Sequence, residues 1–180
     1  PPVSLGVFPS RDFVSHEGFA ADETVTVEVI RHGVVIGVAS DIAPIDDPGT
    51  ATFDGIVEVN HPGAPCWEGV TPDIRAGDIV RATTSRGIAH ETYVANVRVT
   101  TLPYLAAPGV VRMHGYARDL DGAPYPIGQL EARIINHSSD RFDLSGKRVL
   151  LAPGHGVLAY DPIGPENPDG TRWTATFAGL

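Results

Sequence analysis

The chain alternates apolar and polar residues in several short stretches. The clearest is Thr24–Arg31, in which Val25, Val27 and Val29 alternate with polar residues. Successive side chains of a β-strand point to opposite sides, so this period of two is typical of a strand with one buried face. Trp173–Phe177 shows the same pattern. Because no stretch sustains apolar residues at helical spacing, we predict an all-β protein.

Turn residues separate the predicted strands. His32-Gly33 lies between Thr24–Arg31 and the apolar run Val34–Ala39, which predicts a β-hairpin. The chain has 20 Gly and 16 Pro spread along its length, and neither residue is tolerated inside a helix. The remaining predicted strands are Thr52–Asn60, Ile79–Ser85, Ile88–Val94, Val97–Thr101, Val110–Asp119, Arg148–Leu151, Val157–Tyr160 and the less regular Gly128–Asn136.

Two domains account for the spacing of these strands. Pro103–Pro108 brackets a small apolar patch with prolines between two strand patterns, and we interpret it as a linker. The prediction is a first domain over 1–102, a linker over 103–108, and a second, smaller domain over 109–180. A chain of 180 residues is long enough for two small domains.

The charge of the chain bears on its partners. The formal net charge is −9 and the isoelectric point is near 5.1. Such a chain repels nucleic acids and anionic membrane surfaces at long range, so we predict no nucleic-acid partner. The apolar runs are far shorter than the ~18–20 residues that cross a bilayer, and we predict no membrane insertion.

The chain contains one cysteine, Cys66, so an intrachain disulfide is excluded. A nucleophilic role would require a nearby base, and the simpler interpretation is a small apolar side chain packed beside Trp67. The seven histidines lack the spacing of a zinc site. We therefore predict no catalytic residues. The chain begins at Pro1, which fits either a removed signal peptide or a fragment.

Four aspartates are the candidates for a metal site. Asp46 and Asp47 lie in an acidic loop, and Asp119 and Asp121 lie in a turn that ends in glycine. Calcium binds several carboxylate and carbonyl oxygens with little geometric demand, so these loops are weak candidates for it. The EF-hand pattern fails, because position 130 is Leu130 where a bidentate glutamate is needed. The alternative is that Asp and Gly simply form turns, with no cofactor bound.

Two aromatic residues in predicted loops, Trp67 and Tyr125, are the candidates for a ligand-binding platform. An exposed ring beside a polar loop is suited to stacking on a sugar. The alternative is that both rings pack under the loops, as large aromatic side chains usually do.

The strand and turn pattern resembles bacterial Ig-like domains. In the first half the resemblance rests on Val25–Arg31 with its hairpin, on Ala76–Val80 and on Val97–Thr101. In the second half it rests on Val110–Arg118 and Trp173–Phe177. The resemblance implies two tandem Ig-like antiparallel β-sandwich domains. Such modules occur in exported bacterial proteins, which implies a secreted or cell-surface location and no shared catalytic residues.

Two functional hypotheses follow from this resemblance. The first is a noncatalytic structural or interaction module that binds a protein partner or self-associates into an oligomer or filament through edge strands and loops. The alternative is a carbohydrate-binding accessory domain of a secreted hydrolase, with Trp67 and Tyr125 as its platform.

Overall fold

The computed structural model describes residues 4–46, 55–134, 147–149 and 156–178. These residues form strands, turns and two short 3-10 helices, with no α-helix among them, which confirms the prediction of an all-β protein. No described helix is long and apolar enough to cross a membrane. The strands are β1 (Ser4–Phe8), β2 (Phe13–Phe19), β3 (Val25–Arg31), β4 (Val34–Ile42), β5 (Ile45–Asp46), β6 (Gly55–Val59), β7 (Ile79–Thr84), β8 (Ala89–Tyr93), β9 (Asn96–Ala107), β10 (Val110–Arg118), β11 (Ala132–Ile134), β12 (Lys147–Val149), β13 (Gly156–Tyr160) and β14 (Arg172–Ala178).

The chain divides into two compact units, which are residues 1–94 with β1–β8 and residues 95–180 with β9–β14. The division falls before β9, whereas the predicted linker was 103–108. Residues 103–107 instead continue β9, which pairs with β10. Because β9 lies at a sheet edge, the missing N–H of Pro103 does not interrupt the strand.

Unit 1 contains two antiparallel sheets of four strands. One has the order β1-β2-β6-β5 and the other the order β4-β3-β7-β8. The predicted hairpin is confirmed, because β3 pairs with β4 across the turn at His32-Gly33. Both residues of this turn have positive φ, of 50° and 78°, and glycine adopts that backbone conformation without a steric cost.

One hydrophobic core serves both sheets of unit 1. The predicted inward residues Val25, Val27 and Val29 are fully buried. Burial of each such side chain contributes roughly 1.5–3 kcal/mol to folding. The other buried members of this core are Val14, Phe19, Ala39, Ile42, Val57, Val59, Trp67, Ile74, Val80, Ala82 and Val94.

A buried ion pair ties β3 to the turn that precedes β7. Asp78 is 2% exposed, and its two carboxylate oxygens accept hydrogen bonds from Nε and Nη2 of Arg31, each at 2.8 Å. The same carboxylate accepts the backbone N–H of Arg75 at 2.8 Å. A bidentate arginine–carboxylate pair with a further backbone donor fixes both segments relative to each other.

Unit 2 contains one sheet of four strands, in the order β13-β14-β10-β9, and the short pair β11-β12. The predicted strands Val110–Asp119 and Trp173–Phe177 are confirmed as β10 and β14, which pair with each other. Gly115 lies directly opposite Trp173, whose indole fills the space beside it. The buried core of this unit is Val111, Met113, Ala117, Ala132, Leu158, Trp173, Ala175 and Phe177.

Candidate functional site

The four-stranded sheet of unit 2 has one apolar and one polar face. On β10, Val111 and Met113 are buried, while Arg112 is exposed and His114 is half-buried. Because neighbouring residues of a strand point to opposite sides, Arg112, His114 and Tyr116 share the face that points away from the core.

Residues on the neighbouring strands extend this polar face. Directly opposite residues of an antiparallel pair lie on the same side of the sheet. Tyr104 on β9 lies opposite Arg112, Arg98 on β9 lies opposite Tyr116, and Thr174 on β14 lies opposite His114. We call the six residues the arginine–tyrosine face: Arg98, Tyr104, Arg112, His114, Tyr116 and Thr174.

A chain of hydrogen bonds with a defined direction crosses this face. The Asp161 carboxylate can only accept, so the Thr174 hydroxyl donates its proton to Oδ1 of Asp161 at 2.5 Å. Thr174 must then accept the Nδ1–H of His114 at 2.8 Å. In this tautomer Nε2 of His114 is an acceptor, and the Tyr104 hydroxyl donates to it at 2.9 Å. Both ring nitrogens of His114 are therefore held, which fixes the imidazole and the phenol.

The arginines of this sheet differ in their partners. Arg118 pairs with Asp169 at 2.6 Å and lies over the ring of Tyr116, with its guanidinium carbon 5.0 Å from the ring centroid. Arg172 pairs with Asp161 at 3.0 Å. In contrast, Arg98 and Arg112 are exposed and form no ion pair with any described residue.

The outer edge of the same sheet is long and apolar. β9 has 12 residues, and the ten from Arg98 to Ala107 are all exposed. Leu102 is 83% exposed and Leu105 is 55% exposed. Leu105 pairs with the buried Val111 and so points to the core side of the sheet without being covered. This edge therefore presents unpaired backbone groups beside apolar side chains.

The two predicted platform residues lie in different units, Trp67 in unit 1 and Tyr125 in unit 2. Trp67 is 4% exposed and belongs to the core, and its indole N–H donates to the carbonyl of Asp12 at 2.8 Å. It therefore presents no ring face to a ligand. Tyr125 is half-buried against the core of unit 2, and its carbonyl accepts the hydroxyl of Tyr160 at 2.6 Å.

The predicted calcium residues occupy turns and an edge. Oδ1 of Asp119 accepts the backbone N–H groups of Asp121 and Ala123 at 3.0 and 2.8 Å. An aspartate that accepts such bonds from the residues after it stabilises a turn, which is the role that the alternative to calcium binding gives it. Asp46 ends the two-residue strand β5, and Asp47 lies outside the described residues. Among the described residues no group of three or more His, Cys, Asp or Glu side chains is arranged to hold a metal ion.

Two further residues of chemical interest lie in unit 1. Cys66 is exposed, although Trp67 beside it is buried.

His16 on β2 is fully buried, and its Nδ1–H donates to the carbonyl of Glu17 at 3.1 Å. Its Nε2 has no hydrogen-bond partner among the described residues. Burial lowers the pKa of His16 to about 4, with a smaller contribution from the nearby ring of His90.

Comparison of the sequence with protein-family models and with curated proteins, and of the fold with solved structures, finds no match. Sequence reasoning missed the arginine–tyrosine face, although one signal for it is present. Residues 95–118 contain three arginines and a histidine but no aspartate or glutamate, in a chain that has 22 of them.

Proposed function

We propose that the chain is a noncatalytic interaction module of an exported protein, built on Ig-like domains, and that it associates with a second copy of itself along β9. The strand order of unit 1 supports the Ig-like part. In an Ig-like sandwich one sheet has the order A-B-E-D and the other contains C-F-G, with a C′ strand beside C in variable-type domains. Lettered in chain order, β1-β2-β6-β5 and β4-β3-β7-β8 follow these two orders. The described strands of unit 2 follow a different order.

The observation that carries self-association is the exposed edge of β9. A strand of 12 residues is about 40 Å long at ~3.3 Å per residue. It is the longest edge strand among the described residues. Soluble proteins usually protect an edge of this kind with charged residues or a covering segment, because unpaired strand groups bind other strands. On β9 the protections are one proline, Pro103, one charged residue near its start, Arg98, and irregular pairing with β10, while the apolar residues Leu102 and Leu105 stay exposed.

The composition of β9 favours a second copy of the chain as its partner. Residues 99–111 include no charged side chain. An antiparallel pairing of two copies centred on Leu102 would place Arg98 of one copy opposite the uncharged Ala106 of the other. Such a contact is isologous, because the same patch is used twice and closes on itself as a dimer. It would pair the free backbone groups and cover the exposed leucines of both copies.

The test is the oligomeric state of the wild type and of Leu102→Lys, measured by size-exclusion chromatography with light scattering. We expect a dimer or larger species for the wild type at high micromolar concentration. The substituted lysines would lie opposite each other at the centre of the pairing, so the variant is expected to be a monomer.

Leu120→Lys is the matched control. Leu120 is 59% exposed in the turn that follows β10, outside the β9 strand. The Leu120→Lys substitution should leave the oligomeric state unchanged. A monomeric wild type, or two lysine variants that behave alike, would refute association through β9.

The alternative function is a carbohydrate-binding accessory domain of a secreted hydrolase. The buried ring of Trp67 weakens the original choice of platform. The arginine–tyrosine face favours the same function at another surface, because Tyr104 is 40% exposed on a sheet face with hydroxyl and guanidinium groups around it.

A further inference from the structure

The net charge of the chain is distributed unevenly between its units. Residues 1–94 contain 14 acidic and five basic side chains, whereas residues 95–180 contain eight of each. The whole net charge of −9 therefore belongs to unit 1. Within unit 2, none of the four strands β9, β10, β13 and β14 contains an aspartate or a glutamate. Those acidic residues of this unit that the structure describes lie in the connections between strands.

The positive charge on this sheet faces solvent. Arg98, Arg112, Arg118 and Arg172 are its four arginines. Asp169 and Asp161 neutralise two of the arginines at one end of the sheet. Arg98 and Arg112 have no such partner among the described residues and remain free to bind an external anion.

The spacing of the two free arginines limits the kind of anion. Arg98 lies opposite Tyr116, and Arg112 lies four residues before Tyr116 on β10. Four residues of a strand span about 13 Å. Two exposed arginines whose backbone positions are this far apart are suited to an extended ligand with widely spaced charges.

The groups between the two arginines are suited to hydroxyls and ring faces. His114, Thr174 and Tyr104 form the directed hydrogen-bond chain, and Thr100 donates to the carbonyl of His114 at 3.3 Å. The ring of Tyr104 lies 5.7 Å from that of His114 at 28°, so its orientation is held before any ligand binds. A fixed aromatic ring loses little conformational freedom on binding.

We propose that the arginine–tyrosine face binds an acidic polysaccharide, with Arg98 and Arg112 pairing with carboxylates on separate sugar units and Tyr104 packing against a sugar ring. An arginine forms two parallel hydrogen bonds to a carboxylate. Duplex DNA carries one charge per ~1.7 Å of its axis, which is far denser than the two arginines. An acidic glycan has its charges spaced by whole sugar rings, which fits the face better.

This inference deepens the carbohydrate-binding alternative and does not depend on pairing of β9. The two fail separately, because Leu102→Lys changes the edge and leaves the six residues of the face intact. The binding experiment therefore includes Leu102→Lys, which should bind the acidic glycan at least as tightly as the wild type does, because it adds a cation near the face and removes none of its six residues.

The test uses oligogalacturonides of one defined length, measured by isothermal titration calorimetry on the full chain. A fully methyl-esterified form of the same oligomer is the matched ligand without charge. We expect the wild type to bind the acidic oligomer and to bind the ester much more weakly. The double variant Arg98→Gln with Arg112→Gln should lose about tenfold in affinity for the acidic form.

Arg75→Gln is the matched protein control, because Arg75 is an exposed arginine of unit 1. It should bind with unchanged affinity. Both face arginines are exposed and unpaired, so the double variant should also keep the wild-type melting temperature. Tyr104→Ala should weaken binding of the acid and the ester by a similar factor, since it removes the ring and not a charge.

Four outcomes would overturn the proposal. They are absence of binding to the acidic oligomer, equal affinity for acid and ester, equal affinity of the double variant and the wild type, and tighter binding of a single-stranded oligonucleotide of matched length. The last of these would assign the face to nucleic acid.

Discussion

His16 makes the stability of unit 1 sensitive to acid. The imidazole is fully buried on β2 between the rings of Phe19 and His90, whose centroids lie 4.4 and 5.5 Å away. Its Nδ1–H donates to the carbonyl of Glu17, and its Nε2 has no partner among the described residues. A second proton would have to sit on that buried and unpartnered nitrogen, next to another histidine. The folded state therefore opposes protonation.

The size of the effect follows from the two pKa values of His16. Burial lowers the pKa in the folded state to about 4, from 6.5 in the unfolded chain. As the pH falls below 6.5 the unfolded state takes up a proton that the folded state does not, so folding stability is lost from there down to pH 4. The loss between pH 7 and pH 5 is about 2 kcal/mol, and the full loss below pH 4 approaches about 3 kcal/mol.

Each unit contains one tryptophan, which allows unit 1 to be followed alone. In a Trp173→Phe background, Trp67 is the only tryptophan and reports on the core of unit 1. We expect urea unfolding at pH 7 and pH 5 to show the loss of about 2 kcal/mol with His16 present and not in His16→Leu. The difference between the two proteins removes the contribution of other titrating groups.

His32→Asn is the control for removing a histidine as such. His32 is exposed in the β3–β4 turn at a φ of 50°, a conformation that asparagine adopts readily. This variant should keep the full pH dependence. If His16→Leu loses as much stability between pH 7 and pH 5 as its parent, the acid sensitivity does not come from His16.

Two further substitutions test the packing of the units. Asp78→Ala should destabilise unit 1 by about 3 kcal/mol, because it leaves an arginine and a backbone N–H without their buried acceptor. Asp73→Ala, at an exposed ion pair, should cost much less in the same urea titration, and equal costs would contradict the role of burial. Gly115→Ala should lower the stability of unit 2 by about 3 kcal/mol, since its Cβ would lie 2.2 Å from a ring carbon of Trp173. A Cβ at Gly164 would meet open space, so Gly164→Ala should leave the stability nearly unchanged. If a thermal melt shows a larger loss of stability for Gly164→Ala than for Gly115→Ala, the contact between residue 115 and Trp173 is disproved.

Sequence reasoning located the strands whose inward positions are uniformly apolar. β3 and β14 were predicted from Val25, Val27 and Val29 and from Trp173–Phe177, and all of these inward residues are buried. The pattern succeeds there because one face of the strand packs on a core and the other meets water. That condition produces the period of two in the sequence.

β1 and β2 were not predicted, and the reason lies in their polar residues. On β2 the inward position after Val14 is His16, and Ser15 on the other face is buried as well. A histidine in the core and a buried serine outside it remove the contrast between apolar and polar positions. The strand is stabilised by its pairing with β1 and β6, which local sequence does not reveal.

Trp67 illustrates a similar limit for the candidate site. Its proline-rich surroundings suggested a ring in an exposed loop. In the structure the indole N–H reaches the carbonyl of Asp12, which is 55 residues away in the chain. That contact buries the ring and closes the core of unit 1. A contact over such a separation depends on the three-dimensional arrangement of strands, so a local pattern does not predict it.

The net charge illustrates how an average over the chain conceals a local surface. A value of −9 predicts repulsion of every polyanion, yet the sheet of unit 2 has no acidic residue in any strand and two free arginines on its outer face. At physiological ionic strength the interaction between exposed charges is largely screened beyond ~8 Å. A ligand in contact with Arg98 and Arg112 therefore responds to the charges within that distance and only weakly to the rest. For this reason the binding of an acidic glycan to unit 2 is compatible with a strongly acidic chain, and its affinity should depend on those two arginines more than on the overall charge.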